Sequence, residues 1–535
     1  MAEQHGTVGH VRRVAALVAS VAVVAIAPAC GSDSSGSGLD EALGYLPKDA
    51  SLVITVSTDF EGERYEAARD LLQKIPFADQ LTGELEKSLK EEELSYEDDI
   101  KPLLGNEVVI GAPTAEALEQ NKLIGAWQVQ DADKLTELIE SEGTAKEIGE
   151  AEGATLYQDD DTFSAVKDDV VVFADSREDV EAALARAGGD DGLDSATLED
   201  SMGDLPDDPL VRVAGDLRGL LATPDAAQAR RVKWVAALET FGVTADVTDG
   251  GVELDYAVKT NPDGLTDEDL PLAAGEESPG VVVRKGEAAT AIRDLSQFFR
   301  FAESAGEAAD PEGFAEYELE KGRLETDLGI DIDRDVIDQL SGDLSATQSF
   351  PAKFAVRAEL RDPEAFEATL AKLADGLPRA QERRGEPPVT IEKPKGDERL
   401  YALVEQEPSE RSVIGDSQGT TSYTPLDDEK RDGPKRVVFG VVDGVFVAAQ
   451  DPKTAGELAA ATPTEIEGVE GAAVSTLDAG AFAQQVIAMM ESEGGGGSPL
   501  EGLAAGLVTR SLGDLTSSLE ADTSGLRGEV RLEVE

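Results

Sequence analysis

Residues 168–187, DDVVVFADSREDVEAALARA, have the sequence pattern of a turn, a strand and a helix in succession. Two aspartates form a tight turn, Val170–Ala174 is a short apolar run typical of a strand, and a helical pattern follows. Ser176 stands where a helix cap is expected, and Asp179 occupies the position of the reciprocal acid in a capping box. The segment therefore predicts a hairpin strand that leads directly into a capped helix.

The same pattern of turn, strand and helix recurs at residues 443–460, DGVFVAAQDPKTAGELAA. An Asp-Gly turn precedes the apolar run Val445–Ala449, Asp451 is the expected cap, and Pro452 takes the first helical position. Other pieces repeat in the same order. Lys122–Val129 is echoed by Lys353–Leu360, and Leu156-Tyr157 is echoed by Leu400-Tyr401. This order predicts an α+β fold of two similar lobes produced by internal duplication, each an antiparallel sheet backed by helices.

The predicted organisation places domain boundaries where composition changes. It comprises a signal peptide at 1–29, a Ser/Gly linker at 30–45, a first lobe at 46–260, a linker at 261–277 and a second lobe at 278–535. The second lobe carries an insertion at about 405–435 that lacks a hydrophobic period and is predicted to be disordered. Two local expectations are a helix containing Trp234 and Leu238, and a strand at Val281–Val283 that opens the second lobe.

The charge is extreme, at −63 for 535 residues. Such an acidic surface repels phosphate backbones, which excludes nucleic acid as an expected partner. It attracts cations or a basic protein patch, although a strongly charged surface also serves solubility.

The first thirty residues have the pattern of a targeting segment. Arg12 and Arg13 precede the apolar run Val14–Ile26, and Ala27-Pro28-Ala29 gives a small-x-small cleavage signature before Cys30. The run is short for a membrane span, which needs roughly 20 apolar residues. Cys30 is the only cysteine, so its place at the predicted cut needs an explanation.

This arrangement resembles a bacterial lipoprotein signal, in which the cysteine is lipidated and becomes the new N-terminus. The family pattern favours leucine three residues before the cysteine and a small residue next, whereas Ala27 and Pro28 stand there. Ordinary cleavage after Ala29 and an uncleaved anchor remain alternatives. Lipidation at Cys30 predicts a protein anchored by lipid to the extracytoplasmic face of the cell membrane.

Two short motifs resemble a known family. They are Leu46-Pro47-Lys48-Asp49-Ala50 before a predicted strand, and Asp98-Asp99-Ile100 followed by Leu103-Leu104-Gly105-Asn106-Glu107-Val108 before another. They are similar to the bacterial envelope-associated family called domain of unknown function 3352. The resemblance implies an envelope location and this type of fold. It implies no activity and no catalytic residues.

Three motifs that could carry chemistry fail on physical grounds. Gly415–Gly419 matches the G-x-S-x-G nucleophile elbow, but both histidines of the chain precede the predicted cleavage site, so no base remains. Ser164 and Lys167 match S-x-x-K, yet on a strand residues three apart face opposite sides. Asp331–Asp335 opens like a calcium loop, but the required glycine and bidentate acid are missing, so a capped turn is predicted. Weak calcium binding among surface acids stays open.

The residue inventory favours a non-enzymatic binding or structural protein of the cell envelope, with the membrane and an unidentified envelope protein or ligand as partners. No catalytic, cofactor-binding or metal-binding residue is assigned, and no cofactor is expected. One alternative is a solute- or lipid-binding protein with its site between the lobes. A second is a carboxylate-dependent hydrolase, since the 110 acidic residues offer many pairs.

Overall fold

The computed structural model describes residues 37–58, 63–74, 87, 89, 94–141, 145–159, 162–248, 250–284, 286–349, 353–384, 389–395, 397–405, 436–492, 509 and 511–535. The predicted signal peptide, Cys30 and all but the first residue of the predicted insertion at 405–435 lie outside these ranges. Within them, helices and antiparallel sheets give an α+β fold. No helix of the described residues combines the length and the apolar character needed to cross a membrane.

Twenty strands follow one another along the described chain. They are β1 (Leu52–Val56), β2 (Val108–Ala112), β3 (Ile124–Gln128), β4 (Lys146–Ala151), β5 (Ala154–Asp159), β6 (Thr162–Lys167), β7 (Val170–Ala174), β8 (Val211–Asp216), β9 (Leu238–Thr248), β10 (Gly251–Thr260), β11 (Ala288–Ile292), β12 (Leu344–Ser349), β13 (Lys353–Glu359), β14 (Val389–Glu392), β15 (Leu400–Glu405), β16 (Arg436–Val442), β17 (Val445–Ala449), β18 (Ala473–Asp478), β19 (Leu512–Asp522) and β20 (Gly525–Val534).

The α-helices of the described residues precede β1 or lie between the strands. They are α1 (Ser37–Leu43), α2 (Glu63–Lys74), α3 (Ala115–Glu119), α4 (Ala132–Ser141), α5 (Arg177–Arg186), α6 (Ser195–Met202), α7 (Leu217–Leu221), α8 (Lys233–Ala236), α9 (Leu295–Ala309), α10 (Pro311–Leu328), α11 (Ile332–Asp335), α12 (Pro363–Arg384), α13 (Pro452–Ala460) and α14 (Ala479–Ser492).

The chain divides into two compact units. The first runs to Leu265 and also includes Asp478–Ser517 and Asp522–Glu535, whereas the second comprises Thr266–Leu477 and Ser518–Ala521. The predicted second lobe at 278–535 therefore ends too late, because most residues from Asp478 onward belong to the first unit. The reason is strand pairing, since β20 lies antiparallel to β10 over nine residue pairs from Gly251–Glu533 to Lys259–Gly525.

In the first unit the hydrogen-bonded order is β4-β5-β6-β7-β3-β2-β1-β8-β9-β10-β20-β19, and every pair from β4 to β20 is antiparallel. The order in the second unit is β14-β15-β16-β17-β13-β12-β11-β18, again antiparallel. Strands β1 to β8 are thus arranged across the first unit in the same order as β11 to β18 across the second.

The predicted strands Val170–Ala174 and Val445–Ala449 are confirmed as β7 and β17. Every residue of β7 is buried, which explains why this strand is a continuous apolar run rather than an alternating one. Val172 packs into a cluster with α1, α5 and α6 on one side of the sheet. Val171 packs with Trp127 and α4 on the other side.

The predicted caps are also confirmed. The backbone N–H of Asp179 donates to the Ser176 hydroxyl at 3.1 Å, and α5 begins at the next residue after this serine. The Asp451 carboxylate accepts from the Thr454 N–H at 3.0 Å, and Pro452 is the first residue of α13. These contacts satisfy backbone donors that a helix N-terminus otherwise leaves unpaired.

Two local expectations are wrong. Leu238 begins the long strand β9 instead of extending the short helix α8. Val281–Val283 forms only a bridge from Val281 to Thr464, and the strand that opens the second unit is β11 at Ala288–Ile292. The alanines of β11 have modest strand propensity, but Ala289 and Ala291 are fully buried, so close packing outweighs propensity.

Candidate functional site

Carboxylates gather on one face of the first unit, where β9, β10 and β20 lie side by side. Asp255 is directly opposite Thr244 of β9 and Glu529 of β20. Two residues away, Glu253 is opposite Asp246 of β9 and Arg531 of β20. Directly paired and alternate residues share a face of an antiparallel sheet, so these side chains point to the same side.

Three of these acids form a compact group that we call the sheet triad: Glu253, Asp255 and Glu529. One carboxylate oxygen from each lies within 4.8 Å of the others, and all three side chains are half-buried. The Arg531 Nη2 atom donates to Glu253 Oε1 at 3.0 Å and lies 2.6 Å from Glu529 Oε1. Arg531 attracts Asp255 only at longer range.

The crowding changes the acidity of the triad. Burial raises the pKa of Asp255 above its ordinary value, and the negative charge of Glu253 raises it further. Burial also raises the pKa of Glu529, with Glu253 and Asp255 adding to the effect and Arg531 opposing it. The hydrogen bond to Glu253 raises the pKa of Arg531, so that the guanidinium stays charged. One cation is thus shared among three acids, which makes this face attractive to further positive charge.

A shallow pocket of about 410 Å³ also belongs to the first unit. Its lining is mainly polar and includes four acids: Asp478, Asp514, Glu533 and Glu535. Because Glu533 lies two residues beyond Arg531 on β20, it projects from the same face as the triad. We call the sheet triad and this pocket together the acidic face.

A second charged group, the lysine cluster, lies within the second unit. Lys321 of α10 is 7% exposed, and its Nζ atom lies 2.8 Å from Glu303, 2.5 Å from Asp333 and 3.6 Å from Glu318. The Tyr317 hydroxyl donates to Glu303 at 2.8 Å. Burial lowers the pKa of Lys321, but the hydrogen bonds to Asp333 and Glu303 outweigh it and leave that pKa raised. A cation at the centre contacts every acid of this cluster.

The sites considered from the sequence fall elsewhere. Cys30 and Gly415–Gly419 lie outside the described residues. Ser164 and Lys167 lie on β6 as predicted. Asp331 caps α11 by accepting from the Arg334 N–H at 2.9 Å, as the capped-turn prediction requires.

Sequence reasoning missed the sheet triad. Its signal was present as acids on alternate residues, Glu253 and Asp255 in one strand and Glu529 in another. Only the pairing of β10 with β20 brings them together, and that pairing joins segments that the sequence separates by a whole unit.

The fold and these sites define an α+β protein of two units with a strongly acidic sheet face in the first. The chain belongs to the family described as protein of unknown function, DUF3352, whose pattern matches residues 12–382. The resemblance of the two short motifs at Leu46–Ala50 and Asp98–Val108 to this family is thereby confirmed.

No curated protein matches the chain. Among solved structures, it is similar to TP0453 in crystal form III, with 6% identity and a TM-score of 0.25 over 42% of this chain and 82% of that one. Crystal form I of the same protein gives 8% identity and a TM-score of 0.25 over 42% and 81%. These likenesses are too weak to carry a conclusion about fold or function.

Proposed function

We propose that the protein is a non-enzymatic binding protein of the cell envelope, tethered to the outer face of the cytoplasmic membrane through lipid on Cys30. The observation that carries the binding role is the acidic face, where a triad of carboxylates adjoins a pocket lined by four more acids. A basic patch on an envelope protein is complementary to this surface in charge.

The chemistry of the acidic face supports binding better than hydrolysis. A carboxylate-dependent hydrolase needs a proton donor and a second carboxylate on opposite sides of a bound substrate. In the sheet triad, Arg531 contacts both Glu253 and Glu529, and all three acids project from one side of a sheet. Such a surface presents negative charge to a partner. It does not hold the scissile bond of a substrate between two acids.

The tether agrees with this role. One acyl chain gives marginal attachment, at roughly 0.8 kcal/mol per buried methylene, so stable anchoring takes more than one chain. The predicted linker 30–45 is shorter than expected, because Ser37–Leu43 form α1 and Ala42, Leu43 and Tyr45 are buried in the core of the first unit. Residues 30–36 would then space an acidic body from an anionic membrane. Repulsion at that surface falls off within a Debye length of about 8 Å, a distance that such a linker spans.

In-cell photocrosslinking tests both parts of the proposal. A photoreactive residue replaces Glu533 in the acidic face, or the exposed Glu119 of α3 as a matched control. We expect one reproducible adduct with a basic envelope protein from position 533 only. In Cys30→Ser cells the protein should move to the soluble or secreted fraction, lose labelling by a fatty-acid analogue, and lose most of the adduct.

The outcomes separate the two parts. A wild-type protein that is unlabelled and soluble contradicts the tether. Equal adducts from positions 533 and 119, or none from either, contradict a binding role for the acidic face.

We also propose that the two units arose by internal duplication. Support comes from the common strand order and from equivalent pairs. Ile124 lies opposite Ala174 as Ala355 lies opposite Ala449, and Leu156 lies opposite Ala165 as Leu400 lies opposite Gly440. In a crystal structure, superposing β7 on β17 should bring α5 onto α13. Helices that diverge after that superposition would contradict a common origin.

A further inference from the structure

The geometry points to a binding site for a hard divalent cation at the sheet triad, with calcium as the test ion. Glu253, Asp255 and Glu529 would supply the protein ligands. The inference concerns the metal and is independent of the tether and of any protein partner.

The charge balance is the first argument. Within the triad, three carboxylates and the guanidinium of Arg531 leave two negative charges, which a divalent cation cancels. Asp246, opposite Glu253 on the same face, adds negative charge beside the triad. Arg531 lies against Glu253 and Glu529, so Asp255 is the acid left without a direct cationic contact. The raised pKa values of Asp255 and Glu529 agree with this shortage of positive charge.

A buried hydroxyl provides a second and independent observation. Thr244 lies directly opposite Asp255 and is 1% exposed. Its Oγ1 atom has no hydrogen-bond partner of normal geometry, although it lies close enough to Asp255 to lower the pKa of that carboxyl. Buried hydroxyls normally find a partner. With Asp255 turned onto a cation, the hydroxyl would donate to the second carboxylate oxygen and hold the ligand in place.

The donor set selects the class of metal. All three ligands are carboxylates, the preferred donors of calcium, magnesium and manganese, and the triad contains no thiolate or imidazole that would favour zinc or copper. Calcium accepts six to eight oxygens in a flexible geometry, and the half-exposed triad leaves room for water to complete the shell. The neighbouring strands β10 and β20 fix the spacing of the ligands.

Titration calorimetry of the full-length protein with CaCl₂ tests the site. Sodium chloride at about 150 mM suppresses diffuse binding to the acidic surface, because the Debye length is then about 8 Å. We expect one saturable site in the wild type. Asp255→Asn with Glu529→Gln should raise its Kd at least tenfold. Thr244→Val, which keeps the shape and charge of the site, should raise it severalfold.

Two control variants make the result specific. Glu119→Gln removes an exposed acid elsewhere and should keep the wild-type Kd. Asp514→Asn with Glu533→Gln removes two acids from the neighbouring pocket and should raise the Kd far less than the triad variant does. The triad variant should stay folded, because it relieves repulsion between acids, and circular dichroism checks this. If it unfolds, the single change Glu253→Gln replaces it, with the same expected loss of affinity.

The proposal is overturned if the wild type shows no saturable site, if the triad variant binds like the wild type, or if the pocket variant is the one that abolishes binding.

Discussion

The sheet triad and the lysine cluster contain the same charges arranged in opposite ways. Each has three acids and one cation. In the lysine cluster the cation is central, and Lys321 contacts all three acids. In the sheet triad the cation is at one side, and Arg531 contacts two acids while the pKa of Asp255 is raised.

The difference teaches that net charge does not decide whether a polar cluster is structural or available for binding. A buried cation that contacts every surrounding acid balances their charges and holds helices together. A cation at the edge of a group of acids leaves a deficit, which a ligand can fill. Each cluster can therefore be tested by changing the residue that defines its role.

The largest expected effect is in the lysine cluster. Lys321→Met keeps much of the aliphatic stem but leaves Glu303 without its cation. We expect a loss of about 2 kcal/mol, below the roughly 3–5 kcal/mol for fully buried pairs, because Asp333 and Glu318 can return to water. Denaturant unfolding followed by circular dichroism measures the change.

Lys453→Met is the matched control for that variant. Lys453 also faces an acid, Glu457 at 3.6 Å, but its side chain is 85% exposed. Exposed pairs contribute little, so unfolding should shift by well under about 1 kcal/mol. Equal effects of the two variants would mean that Lys321 is not the structural centre of its cluster.

A smaller effect of opposite sign is expected in the sheet triad. Because the pKa of Asp255 and that of Glu529 are raised in the folded state, their ionised forms oppose folding at neutral pH. Asp255→Asn with Glu529→Gln should therefore stabilise the metal-free protein near pH 7, by less than about 1 kcal/mol since both carboxyls are half-exposed.

The stability difference between the triad variant and the wild type should depend on pH in one direction. The advantage of the triad variant should be present at neutral pH. It should shrink as pH falls through the raised folded-state values, and vanish below the ordinary carboxyl values of about 4. Thermal unfolding with a chelator from pH 7 to pH 4 measures it, and Glu119→Gln is the control. A variant less stable than the wild type at pH 7 contradicts the repulsion argument.

Local features of the fold were predictable from sequence because their causes are local. Strand β7, its Asp-Asp turn and the Ser176 cap depend on neighbouring residues, and so does the Asp451 cap of α13. Their signals are hydrophobic runs, turn residues and capping side chains, all within one short window.

Features that depend on distant pairing were not predictable in the same way. Leu238 follows a short helix, and only its pairing with Thr260 of β10 makes it the start of a strand. Ala289 and Ala291 form a strand because the face of β11 that they share is fully buried in one hydrophobic cluster. The acids of the sheet triad become neighbours only when β20 pairs with β10, and no single window of sequence contains that information.

The pairing of β20 with β10 also makes the first unit discontinuous, with the second unit inserted between its parts. A ribosome therefore releases the whole second unit before the strand that covers β10 exists. Until then β10 offers an open edge, the kind of surface that recruits other chains. Closing a loop of that length also slows folding, because chain entropy must be lost before the contact forms. The acidic residues along β10 repel a second copy of the same strand. They therefore oppose pairing between nascent chains until β20 has been synthesised.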